Sequence, residues 1–338
     1  MVTPRLPNGL SAIEIEEALG AMLDTLLRRE GITRLVAWYY TPMALPWTRH
    51  LAAEWVVYDC MDELSLFRGA PAEMVERERE LIAMADVVFT GGTSLYEAKR
   101  ARSDNVHCFP SSVDADHFRQ ARALDADPLD LAHIPHPRLG FAGVIDERMD
   151  LDLVDGIAAA RPEWHLVMLG PVVKIDPAAL PRRANIHYLG AKQYQELPAY
   201  MAGWDVALMP FALNEATRYI SPTKTPEYLA AGLPVVSTAI RDVVTPYGTA
   251  ALAQIGSTVG DFVGAIEDEL EKSADSRARW LSRVDDFLST MSWDRTYERM
   301  ADLIARPNTV ERDAPARATA RARHAASSRS RLDVALEA

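Results

Sequence analysis

Short, nearly uninterrupted apolar runs recur along this chain, separated by longer stretches whose apolar residues return every third or fourth position. RLVAWYY, EWVVYDC, DVVFT and NVHCFP make one series, with the helical patterns PAEMVERERELIAMA and SLYEAKRA between them. A second series runs LGFAGV, WHLVMLG, NIHYLG, DVALMP, PVVST and AALAQI, interleaved with LDLVDGIAAARP, YQELPAYMAG, TPEYLAAG and VGDFVGAIEDELEKSA. A strand that is apolar on both faces must be covered on both faces, and helices between parallel strands do that. The fold class that follows is α/β, with two doubly wound Rossmann-like domains facing each other across a cleft.

The rhythm lapses after Phe118 in RQARALDADPLDLAHIPHP, rich in Asp, Ala and Pro, which reads as a linker. Residues 1–130 are accordingly taken as the first domain and 137–290 as the second, followed by a helix at 291–305. A doubly wound domain opens on a strand and a tight turn. Here a proline-containing loop and an amphipathic helix over 12–30, with Ser11 as its cap, come first, so the first domain is expected to be shortened, lacking its first strand–helix unit. From Arg306 the chain is poor in large apolar residues and carries seven arginines against four acidic residues. Disorder over 306–338 is the expectation, because so little burial cannot offset the entropy of ordering. The alternative is a tether to a membrane surface or partner.

With 49% hydrophobic and 25% charged residues, and no apolar run near the roughly 20 residues of a membrane span, the composition is that of a globular enzyme or binding protein. Met1 leads into VTPRLPNGL without a basic and apolar leader, so a cytoplasmic address is expected, with peripheral contact at the inner face of the membrane as its variant. A net charge of -12 argues against nucleic acid as a partner but leaves room for one local basic pocket. Cys60 and Cys108 read as buried structural thiols. The histidines are scattered, with no HExxH and no cysteine partners, so no metal site is expected.

In open α/β sheets ligands settle beyond the carboxyl ends of the strands. The segment SPTKTPEYLAAG follows DVALMP at such an end. Ser221 or Thr223 can cap the incoming helix, the amides from Ser221 to Lys224 can point at an anion, and Lys224 adds a positive charge. Glu227, one turn on, can accept hydrogen bonds from vicinal hydroxyls. In GFAGVIDERMD, Gly143 ends the second domain's first strand and Arg148 stands in the turn, where its planar fork suits a phosphate. An ion pair of Arg148 with Glu147 or Asp150 is the competing assignment.

Together GFAGVIDERMD, WHLVMLGP, NIHYLG, DVALMPF and SPTKTPEYLAAGLPVVST resemble the donor-binding half of glycosyltransferases of the GT-B fold, close to family 4, the glycosyl transferases group 1. The resemblance implies that the second domain binds a nucleoside-diphosphate sugar, and that the first holds a carbohydrate, lipid-linked or small-molecule acceptor. It also implies transfer of a sugar, a hexose by expectation, to an acceptor hydroxyl with retention and without a metal or other cofactor. Arg148 takes the place of the family's phosphate-binding arginine, and Glu227 that of its ribose-binding glutamate. Two departures stand out. No basic residue follows Arg148 in MDLDLVDG, so Lys224 is expected to supply that charge, and Tyr219 occupies the position eight before Glu227 where the family places another glutamate.

Catalysis is therefore assigned to Arg148 and Lys224, and donor binding to Gly143, Arg148, Ser221, Thr223, Lys224 and Glu227. Asp59, Asp62 and Glu63 in YDCMDE are carboxylates available as a base if the outcome were inversion. WYYTPMALPW offers an acceptor wall or plain core, and GGTS reads best as helix capping by Thr93 or Ser94. The rival functions are a non-catalytic nucleotide-sugar or carbohydrate-binding module and a non-hydrolysing nucleotide-sugar epimerase.

Overall fold

The computed structural model describes residues 1–305; the tail read as disordered lies outside them. The apolar runs form two parallel sheets. In the first, β1 (Val36–Tyr39), β2 (Trp55–Cys60), β3 (Val87–Thr90) and β4 (Val106–Cys108) lie side by side in chain order. In the second, β5 (Arg138–Ala142), β6 (His165–Leu169), β7 (Ile186–Gly190), β8 (Val206–Met209), β9 (Val235–Ser237) and β10 (Ala253–Ile255) are ordered β10-β9-β8-β5-β6-β7. The chain reverses its direction of growth between β5 and β8. The loops after these two strands leave toward opposite faces, and a crevice opens at their carboxyl ends. Two Rossmann-like domains thus face each other across a cleft, as the alternating pattern predicts.

The second domain carries the larger core. Leu139, Phe141, Leu166, Val167, Val206 and Val236 are buried on its strands, and helices supply Val154, Ile157, Leu229, Phe262 and Ile266. In the first domain, Tyr39, Val56, Tyr58, Leu81, Val88 and Leu95 pack on one face of the sheet. The other face, with Val57, Val87, Phe89 and Phe109, is covered by Met300, Leu303 and Ile304 of the helix Trp293–Ala305, so the last described helix returns to the first domain.

After the 3-10 helix Gln120–Ala123 the stretch from 124 to 137 is irregular, yet the whole segment is docked. Leu131 and Ile134 are buried, and the Arg122 guanidinium holds Asp285 through two 2.9 Å bonds while donating to the Ala230 carbonyl. The first helix, Ala12–Arg29, starts at the anticipated cap, with Ser11 and Glu14 bonding reciprocally. Among the described residues no helix is long and apolar enough to cross a membrane.

One local expectation is overturned. Neither Thr93 nor Ser94 caps the helix Thr93–Lys99; Gly92 stands at the N-cap without a side-chain bond. The Asp242 carboxylate reaches over from the second domain and accepts from the Ser94 amide at 3.1 Å. Beside it Arg241 pairs with Glu97. A cap supplied in trans cannot be read from residues next to the helix.

Candidate active site

The site is built where the ends of β5 and β8 meet the helix Lys224–Ala230. Tyr228, fully buried on that helix, accepts from the Ala142 amide at 2.8 Å through its phenol oxygen and reaches the Ala142 carbonyl at 3.3 Å. This fixes the helix to the last residue of β5. The chain then turns at Gly143, whose φ of +154° suits glycine. A Cβ there would lie 2.1 Å from Cε and 2.7 Å from Nζ of Lys224. The two motifs read separately from the sequence thus converge on one point.

Lys224 has no hydrogen bond or ion pair among the described residues. Its ammonium lies 5.8 Å from the Phe141 ring centre and 6.0 Å from that of Phe211. Burial and the nearby Arg148 charge lower its pKa, partly countered by Glu227 and Asp146. Arg148 pairs neither with Glu147 nor with Asp150. It forks onto Asp146, which is 4% exposed, with contacts of 2.7 to 3.1 Å. Burial works against the charge of Asp146, but these bonds prevail and hold its carboxyl below the ordinary value. The guanidinium also lies 5.7 Å from the ring centre of Phe67, so Arg148 does face the other domain. Aspartate 146 acts as a rigid mount for it.

Glu227 stands one turn after Thr223. Burial raises its pKa to about 7, against the opposing pull of Lys224 and a hydrogen bond from Thr223. Thr223 does not cap the helix, which begins without a side-chain cap. Ser221 does not cap it either; its side chain sits by the first domain, where a Cβ on Gly92 would meet Ser221 Cβ at 2.7 Å. Gly143, Arg148, Lys224 and Glu227 are brought together, with Thr223 as a support, while Ser221 lies at the domain contact.

Of the carboxylates in YDCMDE, Glu63 is held by buried Lys99 at 2.7 Å. Asp59 accepts from the Trp38 indole at 3.2 Å, and its other oxygen is buried without a partner. Asp62 lies close enough to Arg148 to feel its charge, which opposes the rise in pKa caused by burial. Within WYYTPMALPW, Tyr39 is core while Trp38 and Tyr40 remain exposed. Tyr219, in the position where the resemblance implies a glutamate, packs against the first domain's core. Cys60 is buried and Cys108 partly so, both as free thiols. Among the described residues no three His, Cys, Asp or Glu side chains gather to hold a metal ion.

Sequence patterns did not point to Phe67 or Tyr228. Phe67 belongs to a loop with no periodicity, and Tyr228 reads as an ordinary apolar position of its helix; only the close following of a glycine by a strand-end turn hints that something must pack there.

Residues 136–272 match the sequence model of the family described as Glycosyl transferases group 1. The chain is 24% identical over 305 residues to TuaH of Bacillus subtilis (strain 168), named for a glycosyltransferase role in teichuronic acid biosynthesis, covering 83% of this chain and 75% of that one. Among solved structures, Anabaena Alr3699/HepE in complex with UDP and glucose superposes with a TM-score of 0.66 at 12% identity, over 89% of this chain and 84% of that one. A glycosyltransferase from Rickettsia africae gives 0.65 at 11% identity, over 90% and 85%. Sucrose-phosphate synthase from Thermosynechococcus elongatus gives 0.61 at 16%, over 87% and 79%. The chain has the GT-B fold of glycosyltransferases.

Proposed function

We propose that the protein transfers a sugar, a hexose, from a nucleoside-diphosphate sugar to an acceptor hydroxyl, with retention of configuration and with no metal. The observation that carries this reading is the convergence of Arg148 and Lys224 beside Gly143, with Glu227 one turn further along the same helix. As the bond from the anomeric carbon to the phosphate oxygen breaks, negative charge collects on the leaving diphosphate. Arg148 and Lys224 meet that charge. Lys224, partly desolvated and without an anionic hydrogen-bond partner, gains most from its arrival. Glu227 accepts hydrogen bonds from the ribose hydroxyls and so sets the donor's register relative to the two cations.

The acceptor belongs in the cleft on the side of the first domain, where Asp62 faces Arg148. It is a carbohydrate, lipid-linked or small-molecule hydroxyl compound. A cytoplasmic enzyme, with peripheral contact at the inner face of a membrane when the acceptor is lipid-linked, fits this assignment. The test is a binding screen with UDP-, GDP-, ADP- and dTDP-sugars, followed by transfer assays and assignment of the product anomer by NMR. Binding with transfer and retention is expected. Failure to bind any nucleotide-sugar overturns the reading, binding without transfer reduces it to a binding module, and an epimerised donor replaces it with an epimerase.

A further inference from the structure

The turn after β6 runs beside the turn after β5, locked to it by backbone bonds from Ile145 N to Pro171 O at 3.0 Å and from Val173 N to Ile145 O at 3.1 Å. Lys174 is the next residue. It adopts φ +62°, a left-handed conformation that residues with a Cβ rarely take, and this geometry puts it at the cleft. Its ammonium stands 5.4 Å from the ring centre of Phe67, the same first-domain ring that lies 5.7 Å from the Arg148 guanidinium.

Two cations on one ring repel each other, so their neighbours matter. Asp146 is occupied by the Arg148 fork. Glu147 comes no closer to Lys174 Nζ than 3.9 Å, and its other carboxylate oxygen is buried without a partner. Lys174 therefore donates no hydrogen bond among the described residues. An ammonium paired only loosely, with Glu147 at 3.9 Å, beside a guanidinium and facing a domain cleft, is suited to a ligand with several anionic oxygens.

We propose that Lys174 is a further phosphate-binding residue for the donor diphosphate, beside Arg148 and Lys224, and that Phe67 is a positioning residue that sets its spacing from Arg148 across the domain boundary. This rests on the donor-site reading above.

The experiment measures affinities of the full chain for UDP, GDP and ADP, and for the matching monophosphates, by calorimetry, with circular dichroism confirming that each variant is folded. Lys174→Ala should weaken the preferred diphosphate about tenfold and its monophosphate less than about threefold, the scale of one lost charged hydrogen bond. Lys174→Arg should keep the affinity within about threefold, since the charge remains. Phe67→Leu should reproduce the diphosphate-selective loss at smaller size, and Phe67→Tyr should restore it. Unchanged diphosphate affinity in Lys174→Ala, or equal loss of both nucleotides, overturns the role of Lys174 while the donor site stands. An unaltered Phe67→Leu removes the positioning role. A wild-type chain that binds no nucleoside diphosphate brings down the donor site and this inference together.

Discussion

The side chain of Lys224 fills the space that a Cβ on Gly143 would take, 2.1 Å from Cε and 2.7 Å from Nζ. A glycine at a strand end and a lysine at a helix start, far apart in sequence, are thus one steric unit. Replacing Gly143 with alanine would both strain the backbone at φ +154° and displace the ammonium. Gly143→Ala is expected to lower thermal stability by about 1–3 kcal/mol. It should also reduce sugar transfer by about 100-fold through the misplaced cation. Steady-state kinetics beside a melting curve check this; full activity in a folded variant would mean that Lys224 does not serve the reaction from this position.

Tyr228 ties the helix Lys224–Ala230 to Ala142, accepting the strand-end amide at 2.8 Å. Tyr228→Phe keeps the ring and leaves a buried N–H without a partner, which should cost about 1–3 kcal/mol. Because the same bond positions Lys224 and Glu227, donor affinity should fall as well. Urea denaturation and nucleotide titration of the variant give the two numbers, and loss of stability with unchanged affinity would separate packing from positioning.

Glu227 combines both roles in a pH-dependent way. Its pKa, raised from 4.5 to about 7 by burial, means that the folded chain holds a proton that the unfolded chain has released. Its stability contribution is complete below pH 4.5 and is lost as pH rises through about 7. Glu227→Gln has no such loss, so its melting temperature should gain on wild type between pH 5 and pH 8. Donor affinity should move the other way. It rises in wild type as the carboxylate ionises through about 7 and declines at higher pH once Lys224, with its lowered pKa, gives up its proton. The glutamine variant should bind weakly and lack the acidic limb. A pH series of donor titrations decides it, and identical profiles for the two proteins would exclude Glu227 from the ribose.

The two-domain fold and the gathering of four of the candidate residues at one place were legible because they rest on local signals. Strands buried on both faces announce parallel sheets, and Gly143, Arg148, Lys224 and Glu227 each sit where a strand end or helix start would place a ligand contact. What escaped depends on distant partners. Asp146 as the mount of Arg148 was visible only as an acid in the right turn, and its competitors Glu147 and Asp150 looked equal in sequence. The cap of Thr93–Lys99 comes from Asp242, which no residue near GGTS reveals. Tyr219, where the resemblance implies a glutamate, packs its ring against the first domain's core. Phe67 carries no periodic signal at all, and its place follows from how the two domains meet.

Glu63 offers the last test, because its neighbours convert a would-be base into a structural group. Lys99, 1% exposed, donates to Glu63 and Glu78 at 2.7 Å each, and Glu78 also accepts from the Tyr58 hydroxyl at 2.8 Å. Removing the lysine leaves Glu63 without its cation and Glu78 with only Arg102, at 3.3 Å, to balance it. Lys99→Met should therefore destabilise the first domain by about 3–5 kcal/mol at neutral pH. Thermal melts of wild type and variant at neutral pH measure the difference, and an unchanged melting temperature would mean that the buried ammonium does not hold this part of the domain together. Glu63→Gln, which keeps a hydrogen-bond acceptor for Lys99, should retain sugar transfer within about threefold, as expected of a residue that shapes the loop and moves no proton. A loss of about 100-fold or more in that variant would restore Glu63 as a catalytic base.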